Sequence, residues 1–458
     1  MKKNKIIIFS IILASLLISG FGCKGLTAEE KSAIKPVTIN YWTIFNDVGL
    51  LNQFAAEYKQ ERPYVTIKIK KVRVEEFEDL LVNALADDVG PDIVSIHVRD
   101  LNKYRPRLSP MPEKVNVANV YVKGQYSKET VVVPLEIALI SVLALKSNFV
   151  GTVYDDVVFQ NKIYGLPLAI DTMALYYNKD LLDQAGVPVA PTTWEELMEA
   201  IKATTRFNEK GDIIQAGASL GTGENISRSF DILSLLMIQG GVKIAVGNAI
   251  AFDSGLKTSS DQHPTMAALR FYTDFANPLK DVYTWNEKMG ESLDEFARGK
   301  VAFYFGFAYD YPRIKAKAPQ MNLDIIPVPQ LNPQKPVNVA NYYMESVVGK
   351  SKNKDEAWDF IRFMTTPDNI KKYTTATKRP TPLRSQIKEQ EEDLVLAPFV
   401  GTVLQAENWY HGRDSAVAEK AFNNLIHNYL QPAGGNESEI KKNVELIQQT
   451  AQVVQQTM

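Results

Sequence analysis

The chain has 458 residues, of which 45% are hydrophobic and 23% charged, with a formal net charge of -2. That composition is ordinary for a globular protein, and the length suits two or three domains or one large two-lobed body. The near-neutral charge offers no cationic field for a phosphate backbone, and the aromatics are not interleaved with Lys and Arg, so nucleic acid is not an expected partner.

Lys2, Lys3 and Lys5 precede a mostly apolar stretch, Ile6 to Ile18, which gives way to small residues before Cys23. This pattern predicts an export signal over residues 1–22. The stretch falls short of the roughly 20 apolar residues that a spanning helix needs. Cys23 is the only cysteine, so no intramolecular disulfide can form. Residues 24–36 are polar, small and aperiodic, and read as a tether ahead of a folded body that begins at Val37.

Val37 to Trp42 reads as a strand, Leu50 to Gln60 as a helix with Leu51, Phe54, Ala55 and Tyr58 on one face, and Val65 to Val72 as a strand. Glu75 to Ala86 is a second helical pattern, and Pro91-Asp92 opens a short buried strand from Ile93 to Ile96. Alternation of this kind predicts an α/β fold with a parallel sheet, whose ligands bind beyond the strand C-termini. Residues 115–158 are unusually hydrophobic and have no assigned role. In the run Ile163 to Leu182, Asp171 stands among apolar and aromatic residues, where a lone carboxylate is costly unless paired.

Thr193 and Glu196 form a capping-box pattern for a helix from Trp194 to about Thr205. Asn208 to Asp212 is a turn without the ligand spacing of a calcium loop. Gly221 to Asn225 lacks the ending of a phosphate loop, so Asn225 is read as a cap for a helix from Ile226 to Ile238. Further on, Leu293 to Arg298 is helical, and Val301 to Phe307 and Leu323 to Pro327 are strands. Asp355 to Thr365, Ala416 to Leu430 and Ile440 to Thr457 are helical.

Catalytic signatures are sparse. His97, His263, His411 and His427 are too dispersed for a metal motif, so no metal or cofactor is expected. Carboxylates such as Asp171 and Glu345 could serve glycoside hydrolysis, but 53 acidic residues offer many such pairs.

Asn161 to Leu197, NKIYGLPLAIDTMALYYNKDLLDQAGVPVAPTTWEEL, resembles the family 1 extracellular solute-binding proteins of bacterial ABC importers, the maltose-binding-protein-like group. The likeness extends through Glu61-Arg62-Pro63, Gly90-Pro91-Asp92-Ile93-Val94, Asp294 to Ala302 and Asp355 to Phe360. It implies a periplasmic-binding-protein-like type II fold: two α/β lobes joined by a hinge, with the ligand cleft between them. Lobe one would take 37–167 and 323–365, and lobe two 168–322 and 366–458. The function implied is a non-enzymatic, extracytoplasmic, monomeric substrate-binding protein that closes over a sugar or oligosaccharide and delivers it to ABC permease subunits. Alternatives are a surface-anchored glycoside hydrolase, or a binding protein for a polyol phosphate or peptide.

The position of Cys23 is similar to the lipobox of bacterial lipoproteins and implies a lipid anchor at the cell membrane, although Gly20-Phe21-Gly22 departs from the usual pattern. A conventional cleavage site with an unmodified thiol is the alternative. For ligand contacts the resemblance implies Asp171, Trp409 and Arg413, with Phe307 or Tyr309 in place of a stacking Trp. It also implies His97, Arg99 and Asp100 after one strand, Phe45 and Asn46 after another, Asn341 and Tyr342 at a crossing, and Asn225. The structural alternatives are a buried strut for Asp171, ordinary core for Trp409 and a surface ion pair for Arg413.

Overall fold

A computed structural model describes residues 26–123, 129–258, 262–434 and 438–458. The expected signal and Cys23 lie outside the described residues. Two sheets organise the two α/β lobes.

The first sheet has the strand order Val65–Lys71, Val37–Thr43, Ile93–His97, Tyr343–Val348, Leu108–Ser109. Val37–Thr43 is parallel to both of its neighbours, because the helix Val48–Glu61 carries the chain back between successive strands. The helix buries Leu51, Phe54 and Tyr58 and is capped by Asp47. Tyr343–Val348 runs antiparallel to Ile93–His97. The sheet is therefore mixed rather than parallel throughout, since this strand arrives from the other lobe and not through a βαβ unit.

The second sheet runs Arg206–Phe207, Ile213–Ala218, Val301–Phe307, Asp171–Asn178, Asn338–Asn341, Ala406–Glu407, with Leu323–Pro327 also paired to Asp171–Asn178. Every residue of Asp171–Asn178 is buried, as a strand covered on both faces requires. The predicted helix after Thr193 spans Trp194–Thr204, and its capping box to Glu196 is formed.

The chain crosses between lobes after the Tyr164-Gly165-Leu166-Pro167 stretch. Leu166 pairs with Glu345, and a Cβ on Gly165 would lie 2.6 Å from Ser346 Oγ and 2.9 Å from the Glu345 carbonyl. Glycine is needed there because another backbone passes against it.

Three sequence expectations are corrected. The return to lobe one comes later than Leu323: Leu323–Pro327 pairs along Ala174 to Asn178, and Ile325, Val328 and Val339 belong to the second core, whereas Tyr342, Met344 and Trp358 are in the first. Conversely, Ile370, Tyr373, Leu383, Ile387 and Leu396 pack into the first core, so lobe one holds part of the segment read as lobe two. Finally, residues 24–36 are not wholly a tether. Thr27 and Glu30 form a second capping box that starts a helix over Ala28–Ala33, and Leu26, Ala33 and Ile34 pack on the first core.

The unassigned hydrophobic region opens as a ribbon, Lys114–Lys123 paired antiparallel with Glu129–Ala138. Two short helices, Val142–Asn148 and Gly151–Val157, follow it. They bury Leu145, Val153 and Val157 in the first core.

Candidate functional site

A cleft of about 460 Å³ lies between the lobes. From the first lobe it takes the ends of two strands: Phe45 follows Val37–Thr43, and His97, Arg99 and Asp100 close Ile93–His97 and begin the next turn. From the second lobe come Arg228 and Asp231 at the start of the helix Ser229–Gln239, Tyr309 after Val301–Phe307, and Ser415 and Glu419 on the helix Ser415–Leu430. The strand-end position is where an α/β sheet leaves room for a ligand.

Aromatic rings form one side. Phe45 stacks on Tyr343 with centroids 4.9 Å apart and planes 5° from parallel. Tyr309 meets Phe45 edge-on, also at 4.9 Å, so a ring from each lobe touches there. Arg228 lies 5.2 Å from the Tyr309 centroid and 5.3 Å from that of Phe307.

The polar side is an ion-pair group that spans the cleft. Arg99 donates through Nη2 to Asp231 Oδ1, through Nη1 to Glu419 Oε1 at 3.3 Å and through Nε to Asn408 Oδ1 at 3.3 Å. Ser415 Oγ donates to Asp100 Oδ1 at 2.6 Å, a second bond between the lobes. His97 Nδ1 accepts from the Arg99 N–H, which leaves Nε2 to donate to Asn341 Oδ1 at 3.2 Å. That arrangement suits the neutral imidazole, and burial with the nearby Arg99 charge holds the His97 pKa down to about 4.

Of the residues expected at the cleft, the structure brings Phe45, His97, Arg99, Asp100, Tyr309 and Asn341 to its wall. The other seven stand elsewhere. Asn46 is buried and donates through Nδ2 to Glu345 Oε1 at 2.6 Å, while the Tyr373 hydroxyl donates to Asn46 Oδ1 at 3.0 Å. Tyr342 is buried and donates to Asp156 Oδ2. Phe307 is core, with its ring packed on Tyr309.

Asn225 does not cap the helix, which begins at Ser229. Its amide donates to the carbonyls of Asn286 and Met289 and locks that loop. Trp409 packs on Phe230 and Phe422 and donates to Ser234 Oγ at 3.0 Å, so it supports the wall from behind. Arg413 is exposed and is not among the lining residues.

Asp171 is fully buried and does not line the cleft, and its Oδ2 has an internal partner where ligand hydroxyls were expected, while Oδ1 has none. Arg379 donates to Asp171 Oδ2 through Nε at 2.9 Å and Nη2 at 2.6 Å. Burial raises the Asp171 pKa, and the Arg379 charge opposes that rise. Arg379 in turn lies 4.7 Å from the Phe45 centroid, so Asp171 acts on the cleft through Arg379 and the aromatic wall.

Sequence reasoning missed Asp231, Glu419 and Arg379. A carboxylate at the first turn of a helix that begins near Arg228 was a usable signal for Asp231. Arg379 offered none, because its partner is 208 residues away. Among the described residues, no group of three or more His, Cys, Asp or Glu could hold a metal ion.

Comparison with known proteins fits this geometry. A curated binding protein of Brucella abortus (strain 2308) is 26% identical over 234 residues, 50% of this chain and 53% of that protein; the match spans about half that relative's length. The multiple sugar-binding protein of Streptococcus mutans serotype c is 23% identical over 393 residues, 83% of each chain.

Among solved structures, a solute-binding protein of an ABC transporter from Thermotoga lettingae TMO, bound to α-D-tagatose, aligns with a TM-score of 0.66 at 19% identity, covering 92% of this chain and 99% of that one. A cyclo/maltodextrin-binding protein complexed with maltotetraose aligns with a TM-score of 0.69 at 16% identity, covering 93% and 98%. These structural likenesses show the two-lobed fold. The sequence profile of the bacterial extracellular solute-binding proteins matches residues 53–394, and the chain belongs to that family.

Proposed function

We propose that the protein captures a neutral sugar or oligosaccharide outside the cytoplasm and delivers it to the permease of an ABC importer. The observation that carries this reading is the cleft wall. Aromatic rings from both lobes, Phe45, Tyr343 and Tyr309, stand beside charged groups that can exchange their mutual bonds for bonds to hydroxyls. Its charges are nearly balanced: Arg99, Lys103, Arg228 and Arg313 face Glu78, Asp100, Asp231, Asp414 and Glu419. That balance favours a polyhydroxyl ligand over a phosphate.

Mechanism follows from where the groups are mounted. A ligand that touches Phe45 and Arg99 on one lobe, and Tyr309, Asp231 and Glu419 on the other, binds the closed form best and shifts the population toward it. Arg99 already bridges the lobes, so it can release Asp231 and Glu419 to ligand hydroxyls while the guanidinium stays solvated by them. The protein needs no chemistry of its own for this task. Asp171 and Glu345, the pair that might have served hydrolysis, are both fully buried and do not line the cleft.

The reading extends to an export signal over 1–22, a lipid on Cys23 that holds the protein to the membrane, and a monomer as the working unit. No described helix is long and apolar enough to cross a membrane. The test is thermal-shift screening against mono- and oligosaccharides, amino acids, peptides and sugar phosphates. A ligand that binds only the folded state raises the melting temperature. A rise with neutral sugars is expected; a rise only with peptides or phosphates would overturn the sugar assignment.

A further inference from the structure

The ribbon Lys114–Lys123/Glu129–Ala138 does not line the cleft, yet toward its outer end each face carries exposed apolar side chains among polar ones. Strand side chains alternate between faces. Tyr121 opposes Val131 and Asn119 opposes Val133 on one face; Val120 opposes Val132 and Val122 opposes Thr130 on the other. Exposure reaches 50% for Tyr121, 61% for Val122 and 36% for Val133. A two-stranded ribbon alone is marginal in water, and exposed β-branched edges invite association. Lys123 follows on the same strand and is exposed.

The start of the chain is fixed beside this ribbon. Leu26 already packs on the first core, and the capped helix Ala28–Ala33 lies against the strand Glu129–Ala138. Val37 N–H donates to the Tyr64 carbonyl at 2.9 Å, and Ala118 N–H donates to the Tyr64 hydroxyl at 2.9 Å. The Arg62 guanidinium donates to Asn119 Oδ1. Entry of the chain into the fold is thus tied to the middle of the ribbon.

Only Lys24 and Gly25 separate Cys23 from Leu26. At ~3.3–3.6 Å per residue the two ends are at most about 10 Å apart, comparable to a headgroup layer of roughly 5–8 Å on each side of the hydrocarbon core. A lipid on Cys23 would therefore hold the first lobe against the bilayer, with no long leash to let it drift.

We propose that the outer end of this ribbon, through Tyr121, Val122 and Val133, rests in the phospholipid headgroup zone of the membrane that carries the Cys23 lipid. The proposal rests on the lipid-anchor reading given above. Tyrosine with a polar tip and valines beside a lysine suit that zone, where an amphipathic ring and a cation both find partners. Such a contact gives the anchor a second membrane signal and fixes the orientation of the first lobe.

The test uses the full-length protein in vesicles of phosphatidylcholine and phosphatidylglycerol. With Cys23 acylated, an added cysteine is the sole thiol for a nitroxide label. Labels are placed at Tyr121→Cys and Val122→Cys, one on each face, with Leu279→Cys, 91% exposed near the second core, as control. The ratio of oxygen to nickel-chelate accessibility should be several-fold higher at one or both ribbon positions than at 279. Equal ratios at all three positions, with the Cys23 lipid confirmed by mass, overturn membrane contact and leave the anchor standing. Shielding from both reagents that grows with protein density indicates a second copy and also overturns it. A Cys23 mass without lipid overturns the anchor and this proposal together.

Discussion

At the cleft wall, Arg99 holds Asp231 and Glu419 from the opposite lobe; behind Phe45, Arg379 holds Asp171 in a layer sealed from solvent. Both regions combine an arginine, carboxylates, an amide and aromatic rings. They differ in which surfaces the bonds join. Arg99 and Asp231 are each only 5% exposed, but Glu419 is 48% exposed and lines the cleft, so under the proposed function this partner can be traded for a ligand's hydroxyls. Arg379 and Asp171 are 5% and 0% exposed, and Glu345, also buried, accepts from Tyr41, Asn46 and Ser95. None of these side chains is exposed to solvent. Chemical type alone therefore does not separate a cleft-lining residue from a structural one; the exposure of what it touches does.

The largest effect that would test this contrast is Asp171→Ala. Removing the acid leaves a buried guanidinium without its counter-charge, and breaking such a pair costs about 3–5 kcal/mol. Urea unfolding should show the loss in ligand-free protein. A variant as stable as the parent would mean the sealed layer is not sealed.

Asn46→Ala removes a donor to Glu345 and an acceptor for Tyr373. Leaving buried partners unsatisfied costs roughly 1–3 kcal/mol, again without ligand. If instead stability holds and only ligand affinity falls, Asn46 belongs with the cleft as the family resemblance implied.

A pH series sharpens the comparison further. Burial raises the Glu345 pKa to about 7 from 4.5, against the hydrogen bonds that favour its charge. The folded state thus holds a proton that the unfolded chain has lost. This contribution to stability is complete below pH 4.5 and fades as pH rises through 7. Glu345→Gln should flatten the stability curve in that window, and an unchanged curve would refute the assignment. His97 acts in the opposite sense: its folded pKa of about 4 lies below 6.5, so it lowers stability as pH falls between those values.

The smallest effect is expected at Arg413. Its side chain is exposed, so Arg413→Ala should change stability by less than about 0.5 kcal/mol and leave sugar binding as it was. Calorimetry that finds binding lost would return Arg413 to the site.

Much of the fold could be read from local signals. The Thr193–Glu196 capping box, the helical periodicity after Asp47 and the apolar strand from Asp171 each encode their own element within a dozen residues. The Thr27–Glu30 box carries the same signal, but polar composition around it suggested a tether. Cleft residues directly after strand ends, Phe45, His97 and Arg99, came from the family resemblance, and the α/β arrangement does put those loops at the cleft. What escaped was pairing over distance: Arg99 finds Asp231 across 132 positions and Asp171 finds Arg379 across 208. Trp409 shows the limit for aromatics, since a ring that stacks on ligand and one that packs on Phe230 and Phe422 have the same local sequence.

The proposed function makes Phe45 and its neighbours a sugar-binding wall between the lobes. It is tested most directly by calorimetry of the parent and Phe45→Ala with tagatose, mannobiose and maltotetraose. Heat of binding is expected with at least one sugar in the parent, weakened tenfold or more, about 1.4 kcal/mol, in Phe45→Ala, with the ligand-free melting temperature nearly unchanged. Sugar binding of equal strength in both proteins would contradict it.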